Sequence, residues 1–212
     1  MPLPPSKTPI TWGLIAANTA VFLLQQVIGN LLLAFFALWN PSDQLFHPWQ
    51  LLTYSFLHDD GRLQGRFDFT HIFFNMFALF MFGRPLELFW GKGRFVFYYF
   101  VCVFSAGAIE MIDMNASHDP GPVIGASGGV FGLLLAFAWY FPRQRILLLF
   151  PPIPMPAWLF VTLYGALELI LGVTGAQAGV AHFAHLGGML GGALAILYWR
   201  MRDNFGGNDN GS

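Results

Sequence analysis

The chain has 212 residues, of which 56% are hydrophobic and only 10% charged, and its formal net charge is −1. A soluble domain of ordinary composition carries about 25% charged residues, so a water-clothed globule is excluded and an integral membrane protein is implied. The near-neutral balance also excludes the basic footprint of a nucleic-acid binder, and the single cysteine, Cys102, excludes an intramolecular disulfide.

Six apolar stretches follow one another: 10–28, 69–90, 95–112, 127–141, 156–172 and 179–199. Each comes near the ~20 residues a helix needs to cross the hydrocarbon core, although the fourth is short unless it borrows from 121–126. Residues 31–39 are apolar too, but this piece lies between Asn30 and Asn40-Pro41 and is expected to lie in the interface or re-enter. The expected fold is an all-α membrane protein, a compact bundle of six transmembrane helices spanning 10–200. Residues 1–9 form a cytoplasmic N-terminal segment and 201–212 a disordered cytoplasmic tail. No internal repeat or second domain is apparent. No cleavable signal is visible, and the first span is expected to serve as the signal anchor.

Basic residues set the expected orientation. With the N-terminus inside, Lys7, Arg84, Lys92, Arg94, Arg143, Arg145, Arg200 and Arg202, eight of the ten lysines and arginines, fall on the cytoplasmic side. Arg62 and Arg66 fall in the first loop among Asp59, Asp60 and Asp68. Both termini are therefore expected in the cytoplasm, in a prokaryotic inner membrane. Spans two, four and six then run from outside to inside.

That parity gathers polar groups in one outer layer. Ser127 opens span four within Gly125-Ala-Ser-Gly-Gly129, and His71 with Asn75 opens span two. His185 lies about six residues into span six, on the order of 9 Å below the outer boundary. A hydroxyl nucleophile, an imidazole base and polar donors at matching depth point to peptide-bond hydrolysis inside a bilayer. Ser127 and His185 are the expected catalytic pair. His71 and Asn75, at i and i+4, point the same way and can donate to an oxyanion, as can the Ser127 amide at a helix N-terminus.

Small residues supply the close approach that short side chains need to meet. Gly128 and Gly132 are four apart on span four, and Gly188 and Gly192 four apart on span six, with Gly187 and Gly191 as a second pair. Gly125 belongs to the same close-packing set. Phe131, four residues after Ser127, is expected to pack against the imidazole.

The elements His71-Ile-Phe-Phe-Asn75, Gly125-Ala-Ser127-Gly128 and Ala184-His185-Leu-Gly-Gly188-Met-Leu-Gly-Gly192, in this order on spans two, four and six, resemble the rhomboid family of intramembrane serine proteases. Pro48-Trp49-Gln50-Leu51-Leu52 and Phe56-Leu57-His58 resemble that family's first loop. The resemblance covers about residues 10–200. It implies a Ser127–His185 dyad without an acidic third member and an oxyanion pocket using His71 and Asn75. It also implies single-pass membrane substrates, cut near the outer boundary beside a small side chain. The segment 59–68 departs from the family in being longer and more polar.

Other polar residues have plainer expected roles. His182, one turn outward on the same face, competes with His185 for the role of base, but the glycine register favours His185, and His182 is expected to support the site from behind or to line its mouth. A metal held by His71, His182 and His185 is disfavoured, because no HExxH motif or spaced carboxylate accompanies them. No cofactor is expected. Glu168 is expected to reach interfacial water, although it could orient His182 or His185. Glu87 is expected to pair with Arg84, while Glu110 and Asp113 are expected to be solvated or to cap the following loop. Trp49, Trp90, Trp158 and Trp199 read as interfacial anchors. The expected partners are transmembrane protein substrates and the lipid bilayer, with neither nucleic acid nor metal. The competing class is a catalytically silent rhomboid-like membrane adaptor that binds transmembrane helices, and the presence of both Ser127 and His185 favours the enzyme.

Overall fold

The structure, a computed structural model, describes residues 7–61, 67–117, 121–147, 153–176 and 180–206. Apolar runs dictate helices, and in chain order these are α1 (Pro9–Phe36), the single turn α2 (Gln50–Thr53), α3 (Thr70–Ala78), α4 (Arg84–Ser117), α5 (Ser127–Tyr140), α6 (Ala157–Thr174) and α7 (His182–Gly206). A 3-10 turn, Tyr54–Phe56, follows α2, and one wide π turn, Leu79–Gly83, joins α3 to α4.

By length and composition, Pro9–Phe36, the continuous helical stretch Thr70–Ser117 and Ala157–Thr174 are long and apolar enough to cross a bilayer, and α5 is a shorter apolar helix. Gly91, at φ 77° and ψ 169°, breaks Thr70–Ser117 into two arms. Only glycine adopts that φ without strain, so this residue makes a hairpin of what would otherwise be one rod.

The interior lies where α4, α5 and α7 meet. Phe95, Tyr98, Tyr99, Cys102, Leu133 and Ile196 are all sealed from solvent there. α6 is attached more lightly, burying only Ala157, Val161 and Glu168. A small ribbon outside the all-helical expectation pairs β1 (Arg145–Leu147) antiparallel with β2 (Pro154–Pro156), Ile146 opposite Met155.

Three carboxylates expected near water are buried at helix N-termini or against first-turn residues, where orphan N–H groups and the helix dipole receive a negative charge. Glu87 does not pair with Arg84; it accepts from the Ile10 N–H (2.9 Å), the Thr11 N–H (2.8 Å) and the Thr11 hydroxyl (2.7 Å), and so caps α1. Glu110 is not solvated, because its Oε2 accepts the Ala184 N–H at 2.9 Å in the first turn of α7. Glu168 is the third and belongs to the site below.

Hydrogen bonds to a charged group are worth about 1.5–3 kcal/mol each. Glu87→Ala is therefore expected to lower stability by about 2–4 kcal/mol, since the freed amides lie at a buried helix end. Unfolding in mixed micelles checks this, and a change under about 0.5 kcal/mol, the scatter of neutral surface substitutions, would contradict it.

Other expectations shift by local amounts. Ile28, at φ −126° and ψ 33°, is non-helical and divides α1 into two helical pieces, so residues 31–36 form a segment distinct from 10–27. Leu38 then pairs its backbone with Val123. The expected disordered tail is helical to Gly206, with Asp203 3.7 Å from Arg94, and 207–212 lie outside the described residues. Trp199 is no interfacial anchor: it is buried against Trp90, Phe97 and Tyr98, with Arg94 over its ring.

Candidate active site

Ser127 is the first residue of α5, directly after the glycine turn. Gly125 has φ 128°, a conformation that L side chains rarely adopt, and its N–H donates to the Tyr54 carbonyl at 3.0 Å. Tyr54 in turn donates its hydroxyl to the Val103 carbonyl at 2.9 Å, so the turn is anchored to α4 through the first loop. No side chain caps α5, which leaves its first-turn N–H groups, Ser127's among them, to face a ligand.

The Ser127 hydroxyl oxygen is 2.8 Å from His185 Nε2, across 58 positions of sequence. α7 begins at His182, so His185 stands in its first turn, about 4.5 Å from the helix start rather than six residues in. The Phe131 ring covers the imidazole face to face, with centroids 4.2 Å apart and planes 6° apart. Tyr164 of α6 packs against Phe131 as well, with ring centroids 5.0 Å apart.

The glycines place these two helices. A β-carbon on Gly188 would fall on the Gly128 carbonyl oxygen and 2.7 Å from its carbon, so the two backbones touch. Gly132 meets the Gly188 carbonyl and Cys102, whereas Gly192 meets Tyr98 and Cys102 of α4 rather than α5. Gly187 and Gly191 face Ala106, Ile109 and Ser105, also on α4. The two glycine registers of α7 therefore address different neighbours: Gly188 sets the contact with α5, and the others mainly the contact with α4.

His71 is half-buried on α3, and the Asp59 N–H donates to its Nδ1 at 3.1 Å. In a neutral ring the proton is then on Nε2. That atom faces the glycine turn: a β-carbon at Gly125 would lie 3.0 Å from His71 Nε2 and 3.7 Å from Ser127 Oγ. Asn75 is buried one turn further and donates one amide hydrogen to the His71 carbonyl at 2.9 Å. Its second amide hydrogen is unassigned, and no hydrogen bond joins Asn75 to Ser127 or His185 among the described residues.

His58 backs His71 edge-on, centroids 5.1 Å apart, and is itself clamped by Gln25, which accepts the His58 N–H and donates to its carbonyl, both at 3.0 Å. Burial first, and His71 second, push the His58 imidazole down to about 3, so it is uncharged at neutral pH.

Glu168 does not reach interfacial water. It is 4% exposed, and its Oε2 is 2.8 Å from His185 Nδ1 and 2.7 Å from His182 Nδ1. Of the two readings open in the sequence, contact with His182 and His185 is the one the structure shows. Glu168, His182 and His185 also form a compact set of ligand-type atoms, all within 4.8 Å of one another, and His71 stands apart from it. The three histidines weighed and disfavoured as metal ligands in the sequence are thus not the set that the fold brings together.

Residues 45–202 match the rhomboid domain family. Among similar proteins, the rhomboid protease GlpG of Serratia proteamaculans is 26% identical over 92% of this chain and 63% of its own length. The mitochondrial presenilin-associated rhomboid-like protein of Rattus norvegicus is 28% identical over 90% of this chain and 50% of its own. Rhomboid protein 1 of Saccharomyces cerevisiae mitochondria is 31% identical over 62% of this chain and 38% of its own. The chain thus spans less than two thirds of the length of each of these relatives. With the family match covering most of the chain and the long apolar helices described above, this is a multi-pass membrane protein that belongs to the rhomboid family.

Proposed function

We propose that this chain is an intramembrane serine endopeptidase that cleaves transmembrane segments of single-pass membrane proteins near the outer boundary of the bilayer. The observation that carries the reading is the 2.8 Å approach of Ser127 Oγ to His185 Nε2, within the reach a nucleophile and its base require. His185 takes the hydroxyl proton as Ser127 Oγ bonds to the scissile carbonyl carbon. The C–N bond then breaks, and the proton passes from His185 to the leaving amine. Water, deprotonated by the same imidazole, releases the acyl group and restores Ser127.

The tetrahedral oxyanion falls to His71 Nε2–H, the second amide hydrogen of Asn75 and the Ser127 amide. Such donors act before substrate arrives and in a medium poor in water, which is where they contribute most. The neutral His58 behind His71 keeps a competing positive charge out of that pocket.

In the membrane, the 10–28 region of α1, the two arms either side of Gly91, α5, α6 and α7 supply six crossings. Both termini lie on the cytoplasmic side by the distribution of lysine and arginine. The active site then opens outward, and a bacterial inner membrane is the proposed setting.

The test uses purified protein in lipid nanodiscs, a fluorophosphonate probe and a single-span test substrate. Labelling that maps to Ser127 together with cleavage near one end of the substrate helix supports the proposal. Substrate binding with neither labelling nor cleavage overturns it in favour of a silent adaptor.

A further inference from the structure

Within this reading, one buried group has no assigned part. Among the described residues of the six-crossing bundle, Glu168 is the carboxylate that touches the proposed base, and the second oxygen-to-nitrogen contact it makes is to the histidine one turn earlier on the same helix. We propose that Glu168 is a positioning residue for His185, with His182 holding Glu168 in turn, so that the working unit is Ser127–His185–Glu168 rather than a bare pair. The inference rests on the protease reading above.

The argument is one of proton accounting. An ionised carboxylate has no hydrogen to give and only accepts. Contacts of 2.7 and 2.8 Å from one oxygen, Oε2, to Nδ1 of His182 and to Nδ1 of His185 therefore place a proton on each Nδ1. A neutral His185 so arranged carries its lone pair on Nε2, which is the atom that faces the Ser127 hydroxyl. The ring can then act as a base without turning over. When it gains the second proton, the imidazolium is met by the carboxylate at 2.8 Å in a medium of low dielectric. Phe131, stacked on the ring, fixes its plane but carries no charge and cannot choose between tautomers.

The fold is arranged to keep the carboxylate there. Tyr164 and Glu168 are four apart on α6, so the face that packs Tyr164 on Phe131 also delivers Glu168 to α7. A β-carbon at Gly172, one turn later on that face, would lie 3.2 Å from the His182 β-carbon, which shows how near α6 runs to the start of α7. His182 and His185, at i and i+3, meet the carboxylate from one side. The shared N–H of His182 leaves Oε2 doubly bound, which resists rotation of the carboxylate away from the base. His182 is sealed from solvent, and its Nε2 has no partner among the described residues. That ring thus presents one working hydrogen bond, the one to Glu168.

The proposal is tested with Glu168→Gln, Glu168→Asp and Glu168→Leu in nanodiscs. Steady-state cleavage of the single-span substrate is measured beside 15N spectra of the histidine ring nitrogens. Glu168→Gln preserves shape but removes the charge and offers an amide N–H that can face Nδ1. It is expected to lower kcat by about 10²–10⁴-fold with KM within about twofold, the upper figure being the cost of a reversed tautomer in a serine-protease triad. Glu168→Leu is expected to lose at least as much, and Glu168→Asp to recover part of the rate. The wild-type spectrum is expected to show the His185 proton on Nδ1, and the Leu variant to lose that preference.

Wild-type protein that neither labels nor cleaves refutes the protease reading itself. Wild type that cleaves, with Ser127→Ala inert and Glu168→Gln within twofold of the wild-type kcat, refutes only the role of Glu168. A wild-type His185 protonated on Nε2 refutes it as well. So does a loss confined to KM and thermal stability, which is what a purely structural tether between α6 and α7 would produce.

Discussion

Alanine at Ser127 or at His185 is expected to lower kcat for a transmembrane substrate by on the order of 10⁶-fold, and the double variant is expected to lose no more than either single one. The non-additivity is the point of the measurement. A nucleophile and its base act as one device: without the imidazole the hydroxyl keeps its proton, and without the hydroxyl the imidazole has nothing to activate. In the proposed mechanism the 2.8 Å contact joins nucleophile and base across two helices, with Glu168 behind the base. Residual turnover would come from the oxyanion donors and from substrate positioning alone. Ser127 is half-buried at a helix start and His185 stacks on Phe131, so unfolding controls accompany both single variants. Single-turnover cleavage with unfolding controls provides the check. His182→Ala is expected to cost far less, because His182 touches Glu168 and not Ser127. A His182→Ala protein that is inert beside an active His185→Ala protein would reverse the assignment of the base.

The second large effect is expected from a residue with no chemistry. Gly188→Val should separate α5 from α7, because its β-carbon would land on the Gly128 carbonyl group. Backbone cannot turn aside as a flexible side chain can. Overpacking of this kind costs about 1–3 kcal/mol and occasionally more. The rate should fall further than the stability. An active-site misplacement of about 1 Å can cost about 10²-fold, and Ser127 and His185 sit at the ends of the two helices being pushed apart. Gly13→Ala is the matched control: nothing lies within 4 Å of a β-carbon there, so it should leave activity unchanged. Thermal unfolding and cleavage rates of the two variants, measured together, decide the matter. Equal losses in both would show that helix contact at Gly188 does not control the site.

Much of the scaffold is local and therefore readable. The expected stretches 69–90 and 95–112 coincide with the two arms of Thr70–Ser117 either side of Gly91, and 127–141, 156–172 and 179–199 overlap α5, α6 and α7, because apolar length and the punctuation of glycine and proline act over a few residues. The exceptions have physical causes. The start of α7 came later than hydropathy suggests, at His182, because its orphan amides need a carboxylate acceptor and Glu110 supplies one to Ala184. The separate piece expected after the first span begins just past Ile28, whose non-helical backbone divides α1 in two. Phe131 was assigned to the imidazole from its i+4 spacing after Ser127, and a stack at 4.2 Å is what the helix repeat delivers once α7 is close.

The charged residues within the bundle divide along another line. Glu87, Glu110 and Glu168 were each expected near water or beside a neighbour in sequence, and each instead meets a helix start or first-turn side chains 14 to 77 positions away. A carboxylate in an apolar span is visible in any reading of the chain. Its partner is fixed only by the fold, because the cost of burying a charge is offset only by groups that arrive from other helices. Even for Glu168, contact with His182 or His185 is one of two readings open in the sequence.

Read by itself, the amino-acid order was enough to determine the membrane class, most of the helical stretches and the glycine turn before Ser127, all of which depend on composition and short spacings. Only the folded arrangement decided which glycine of α7 touches α5, which nitrogen of His71 faces the serine, and that Glu168 rather than solvent receives His185. Those are distances between separate helices. They follow from how the helices pack against one another, which no periodicity within a single helix encodes.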